Sequence, residues 1–225
     1  MSITKQIVFT FLLLSFFILF FGFSSIDMQV QDNFFDYSTH QWIVDRELQP
    51  YKFIFYDGIK KILILFAFSF LVALVFFRKN KQIKAYNKGI IIVLLSAILI
   101  PFIVGGLKKY TNMPCPKNET HYGGVYPSTK VWESYPTRFN QPSSIRCYPA
   151  GHASGGFALL SLFFLFKTRK NKVMVLLLAL SIGWGMGIYK MLIGDHFFSH
   201  TLITMLLAWL IVLLIAKFIY KESYN

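Results

Sequence analysis

The sequence predicts an all-α integral membrane protein, a six-helix bundle with a long, ordered extracytoplasmic loop. Three observations carry this expectation. Of 225 residues, 55% are hydrophobic and 18% aromatic, too apolar a mix for the surface of a soluble domain. Six apolar runs have about the length that crosses a hydrocarbon core. The connections at 78–88 and 167–172 are basic without an acid, and with Lys221 they fall on one side of the predicted spans, as basic loops do when they stay on the cytoplasmic side. The length suits one domain over 1–225, and the formal net charge of +13 is first explained by those loops. The aromatic residues lie mostly inside the apolar runs and not between basic ones, which argues against a nucleic-acid partner.

The first span is expected at about 7–23. It carries no charge, exceeds a signal-peptide core in length, and ends in Phe21-Gly22-Phe23, a poor cleavage site. Residues 24–57 hold six of the ten acids, which suits the far side of the membrane, and Trp42, Tyr51, Phe53 and Tyr56 suit its interface. The second span, 59–77, is followed by Arg78, Lys79, Lys81, Lys84 and Lys88 with no acid between them. The third, 89–107, contains Pro101, a kink position. Residues 108–149 carry Pro114, Pro116, Pro127, Pro136, Pro142, Pro149 and the pair Gly123-Gly124, so an irregular segment is expected. Its tyrosines and Trp132 favour packing over disorder. The fourth span, 150–166, precedes Lys167, Arg169, Lys170 and Lys172. The fifth and sixth, 173–193 and 197–219, put both termini on the cytoplasmic side. Gly155, Gly156, Gly183, Gly185 and Gly187 suit close helix packing. His40 and His121 are expected at the surface, and Glu119 and Glu133 in solvent.

The two cysteines, Cys115 and Cys147, fall in one loop. Outside the cytoplasm a disulfide between them is expected, the alternative being two unpaired thiols.

Three polar clusters share the non-cytoplasmic side: Lys108-Lys109, Arg146 to His152, and Lys190 to His200. One lysine at a span end can snorkel to the interface, but that accounts poorly for two histidine clusters with two lysines. Pro149-Ala150-Gly151-His152 opens a helix, whose free N–H groups suit an anion. His196 and His200 stand one helical turn apart.

Read together as Lys108-x6-Cys115-Pro116, Pro149-Ala150-Gly151-His152 and Tyr189-Lys190-x5-His196-x3-His200, these stretches resemble the type 2 phosphatidic acid phosphatases. That family shares its core with bacterial acid phosphatases and vanadium haloperoxidases. Its motifs are Lys-x6-Arg-Pro, Pro-Ser-Gly-His and Ser-Arg-x5-His-x3-Asp. The likeness spans roughly 58–215. The departures are Cys115 and Lys190 where the family has arginine, Ala150 where it has serine, and His200 where it has aspartate.

The resemblance implies a membrane lipid phosphatase. His196 would be the nucleophile and pass through a phosphohistidine, and His152 would protonate the leaving oxygen. Lys108 and Lys190 would hold the phosphoryl oxygens, helped by N–H groups at Gly151, with Arg146 a candidate to replace a lost guanidinium. The orienting role of the family's aspartate falls to His200, with Asp195, if the helix begins after it, and an acid from residues 24–57 as the other candidates. No metal or other cofactor is implied. The expected partners are the bilayer and a phosphorylated lipid of the lipid A, undecaprenyl diphosphate or phospholipid type, met on the periplasmic face of a bacterial inner membrane. The oligomeric state is left open. Three alternatives stand beside this: a lipid phosphotransferase, a metal-binding protein using His196 and His200, and an inactive relative.

Overall fold

The computed structural model describes residues 2–221. Seven α-helices account for most of them. Helix α1 (Ile3–Phe23) starts where the Ser2 hydroxyl accepts the Lys5 N–H. It packs along α7 (Phe198–Lys221), while Phe9, Phe11, Leu12 and Phe16 stay more than half exposed. Helix α3 (Ile59–Phe76) buries no residue fully. A helix that is apolar all round yet uncovered has the bilayer as its solvent. Among the described residues, five helical stretches are long and apolar enough to cross a membrane.

The acid-rich segment holds a short helix, α2 (Ile26–Asp32), and a two-residue hairpin, β1 (Phe35–Asp36) against β2 (Gln41–Trp42), the sheet among the described residues. A π-type turn, Phe53–Gly58, leads into α3. Helix α4 runs 31 residues, Lys81–Thr111, so it is about 46 Å long and overshoots the hydrocarbon at both ends. Asn80 caps its first turn through the Gln82 N–H at 2.8 Å.

The stretch expected as a short fourth span is only partly α-helical. Helix α5 covers Gly151–Ala158 and tightens into 3-10 turns over Leu159–Phe164. Together they reach about 24 Å, less than a hydrocarbon core. The cause is location. Helix α5 lies inside the bundle, against α4, α6 (Arg169–Leu192) and α7, and a helix covered by protein need not span lipid. Close approach makes this possible: a Cβ on Gly156 would fall 2.8 Å from the Gly183 Cα. Gly187 likewise abuts Thr201, whereas Gly155 and Gly185 leave ordinary contact distances. The main core is shared by these four helices and centres on Ile92, Ile100, Phe157, Ala179 and Val212.

Candidate active site

The end of α4, the start of α5 and the turn between α6 and α7 meet at one end of the bundle. Lys108 lies in the last turn of α4, which stops at Asn112 in the left-handed conformation. The Asn112 Oδ1 then accepts from Gln141 Nε2 and the Ile145 N–H, both at 2.9 Å, and from Ser144 Oγ at 3.2 Å. One side chain therefore gathers the return of the long segment beside Lys108. Cys115 and Cys147 form the expected disulfide and tie the same two arms together.

No side chain caps the N-terminus of α5. The Ala150 N–H instead donates to His200 O (3.2 Å) and Thr204 Oγ1 (2.8 Å), which docks the start of α5 on α7. Lys108 lies over that start, because a Cβ on Gly151 would come within 3.1 Å of its Nζ. Glycine here leaves room for the lysine and keeps the helix N–H groups approachable.

The α6–α7 turn pivots on Gly194, with φ +71°, and Trp42 fills the space any side chain there would need. The acid-rich segment holds this turn in place. Gln31 Nε2 donates to Met191 O at 2.8 Å, and Asp27 Oδ1 accepts the Ser199 N–H at 2.8 Å. Of the acids in residues 24–57, Asp27 reaches the start of α7, but it caps the helix and bonds neither imidazole. His196 is 3% exposed and His200 fully buried. Their Nδ1 atoms meet at 3.4 Å, with one ring donating and the other accepting. The Nε2 of His196 is thereby the nitrogen turned away from His200.

Lys190 is 2% exposed, with Nζ 2.7 Å from Asp195 Oδ2 and 4.2 Å above the Tyr56 ring. The Tyr56 ring lies 4.4 Å from that of His152, so one tyrosine connects the two motif residues. Asp195 Oδ1 also receives Lys117 Nζ at 2.6 Å and Arg46 at 3.5 Å. Burial alone would raise the Asp195 carboxyl, but Lys190 and Lys117 outweigh it and hold the group ionised, below the usual carboxylate range. Helix α7 begins after Asp195, so that residue was free to face His196. Its carboxylate turns to the cations instead.

The structure brings Lys108, Gly151, His152, Lys190, His196 and His200 to this end of the bundle. Arg146 is exposed and makes no hydrogen bond or ion pair with them. Sequence reasoning missed Arg46, Lys117 and Tyr56. Lys117 could have been noticed two residues past Cys115, but Arg46 and Tyr56 stand in no motif. Glu119 corrects an expectation: it is 1% exposed, not solvated. Burial pushes its carboxyl up to about 7, partly offset by Ser128 and Lys130. Glu133 is exposed and accepts the Lys130 N–H.

From Lys108, Gly151 and His152 a cavity of about 590 Å³ runs between α3 and α4, walled by Leu63, Ala67, Val93 and Ala97. It is charged at its head and apolar along its length. Among the described residues no group of three His, Cys, Asp or Glu side chains could hold a metal ion.

A family model described as the PAP2 superfamily matches residues 89–224. The chain belongs to the PAP2 superfamily. The matched part includes Lys108, His152, Lys190, His196 and His200, while Arg46 and Tyr56 lie before it. Over 218 residues the chain is 27% identical to the lipid A 4'-phosphatase of Francisella tularensis subsp. novicida (strain U112), covering 92% of this chain and 91% of that protein. No solved structure gives a significant match.

Proposed function

We propose that this PAP2 protein is a membrane lipid phosphatase that removes a phosphate from a lipid phosphate or diphosphate through a phosphohistidine on His196. The observation that carries this reading is the shape of the site. Lysine, histidine and free helix N–H groups stand at the head of an apolar cavity, where a phosphorylated headgroup and its chains would lie together.

His196 Nε2 attacks phosphorus as the bond from phosphorus to the lipid oxygen breaks, and His152 gives that oxygen its proton. Water then attacks the phosphohistidine and yields its proton to His152, and inorganic phosphate leaves. Lys108, Lys190 and the N–H groups at Gly151 and His152 neutralise the phosphoryl oxygens in flight. His200 orients the nucleophile through the Nδ1 contact. Being buried without a countercharge of its own, it supplies direction more than charge. Asp195 keeps Lys190 in place, and Lys117 and Arg46 add positive charge at the rim where the family's arginines are missing.

Among substrates, lipid A comes first, given the likeness to a lipid A 4'-phosphatase, ahead of undecaprenyl diphosphate and phospholipid phosphates. The disulfide at the histidine end and the lysines at the other support a bacterial inner membrane with the site facing the periplasm. The metal-binding alternative lacks a third ligand beside His196 and His200 among the described residues. The test is phosphate release by the purified protein from a panel of lipid phosphates, with chelator present, beside His196→Ala and His152→Ala. Release by the parent that disappears in both variants is expected. Release that survives in His196→Ala would overturn the assignment, and release only after adding an acceptor lipid would make the protein a transferase.

A further inference from the structure

The end of the bundle remote from the histidines carries a second cavity, of about 460 Å³. Lys84 and Lys88 reach it from α4, Lys167 from the link before α6, and Lys172 from the first turn of α6. No Asp or Glu lines it among the described residues. We propose that this cavity binds the phosphate-bearing headgroup of an anionic phospholipid.

Positive-inside bias explains why lysines lie at this end, but not why four converge from two separate stretches of the chain on one cavity. Aromatic rings hold three of them. Lys167 Nζ lies 4.8 Å from the centre of the Tyr86 ring, Lys172 4.9 Å from Phe163, and Lys88 5.7 Å from Tyr220. Lysines anchored in this way lose less freedom when an anion arrives than freely waving ones do. Lys84, Lys167 and Lys172 share one lining and repel one another, and a phosphate would relieve that repulsion. The wall is firm as well, since a Cβ on Gly89 would strike the Leu165 Cα at 2.7 Å and the Phe164 carbonyl oxygen at 2.9 Å. Phe164, Leu165 and Phe166 border the charges with apolar surface, where the acyl chains of a bilayer lipid would begin. A free phosphate has no use for that surface, so the lipid is favoured. A basic pocket between membrane helices at headgroup depth is a known form of lipid recognition.

The test is native mass spectrometry of the delipidated full chain titrated with phosphatidylglycerol, with phosphatidylcholine or inorganic phosphate as comparison ligands. The pocket pair Lys84→Ala/Lys167→Ala is set against Lys79→Ala/Lys170→Ala, which removes the same charge from the same basic loops outside the cavity. One phosphatidylglycerol per chain is expected to bind roughly tenfold more weakly to the pocket pair and unchanged to the control pair. Lys84→Arg/Lys167→Arg should retain it, which separates lost charge from lost fold. Equal weakening in both alanine pairs, or in neither, would overturn the site. Inorganic phosphate displacing the lipid at equal concentration would overturn the lipid as its occupant.

Discussion

Lys190 and Lys84 are the same side chain at opposite ends of the bundle, under opposite conditions. Lys190 is 2% exposed, held by Asp195 at 2.7 Å and covered by Tyr56. Lys84 is exposed, on a cavity that no acid lines among the described residues. A buried ammonium persists only where its charge is met, so the histidine end is built to close tolerance from five parts of the chain. The lysine end tolerates change, because water and lipid headgroups can meet its charges. The first end is specified residue by residue. The second is specified by composition, apart from the cavity that gathers four of its lysines.

Several substitutions would sharpen or break that contrast. The largest effect belongs to Lys190→Ala, which should lower kcat/KM for a lipid phosphate by about 10²–10³ as one phosphoryl-binding cation is lost. Lys79→Ala, an exposed charge at the other end, should leave it within about twofold. Equal losses in steady-state assays of the two would erase the distinction. Next, Asp195→Ala strands Lys190 and should cost about 3 kcal/mol of stability, read as a fall in melting temperature. The double variant Lys190→Met/Asp195→Leu should regain much of that stability while remaining inactive. Reducing the Cys115–Cys147 disulfide should cost about 2–3 kcal/mol, seen as a lower denaturation midpoint in the presence of reductant.

The smallest effect is a pH dependence from Glu119. Its folded carboxyl is raised to about 7 by burial. Between the ordinary glutamate value and that point the folded state keeps a proton that the unfolded state has lost. Stability therefore declines as pH rises through this window and levels off above it. Glu119→Gln should flatten the decline and gain on the order of 2 kcal/mol at pH 8. A melting-temperature profile unchanged by the substitution would contradict the buried carboxyl.

Hydropathy and charge made most of the helices legible, since a bilayer imposes length and sidedness on any sequence that crosses it. The stretch at 150–166 is less regular than the other expected spans, with α5 passing into 3-10 turns. Its apolar character reflects burial in protein, and the glycines that permit that burial read equally well as span packing. The motif histidines and lysines were visible because short local spacing places them. Arg46 and Tyr56 were not, because they reach the site from a segment more than a hundred residues before its α6–α7 turn, through tertiary contacts that leave no local pattern. Asp195 was visible but ambiguous. Whether it serves an imidazole or a lysine depends on the Gly194 turn, not on helical periodicity. Glu119 was read as solvent-exposed because loop acids usually are, and here the loop folds over it.

The central claim is that His196 carries the phosphoryl group, and trapping that intermediate tests it most directly. Purified protein would be mixed with a lipid phosphate, quenched in alkaline detergent to preserve phosphohistidine, digested, and mapped by mass spectrometry. A phosphoryl adduct on His196, formed during turnover and absent from His196→Ala, is the predicted result. An adduct on His152 or His200, or turnover by a His196→Ala protein, would contradict the account.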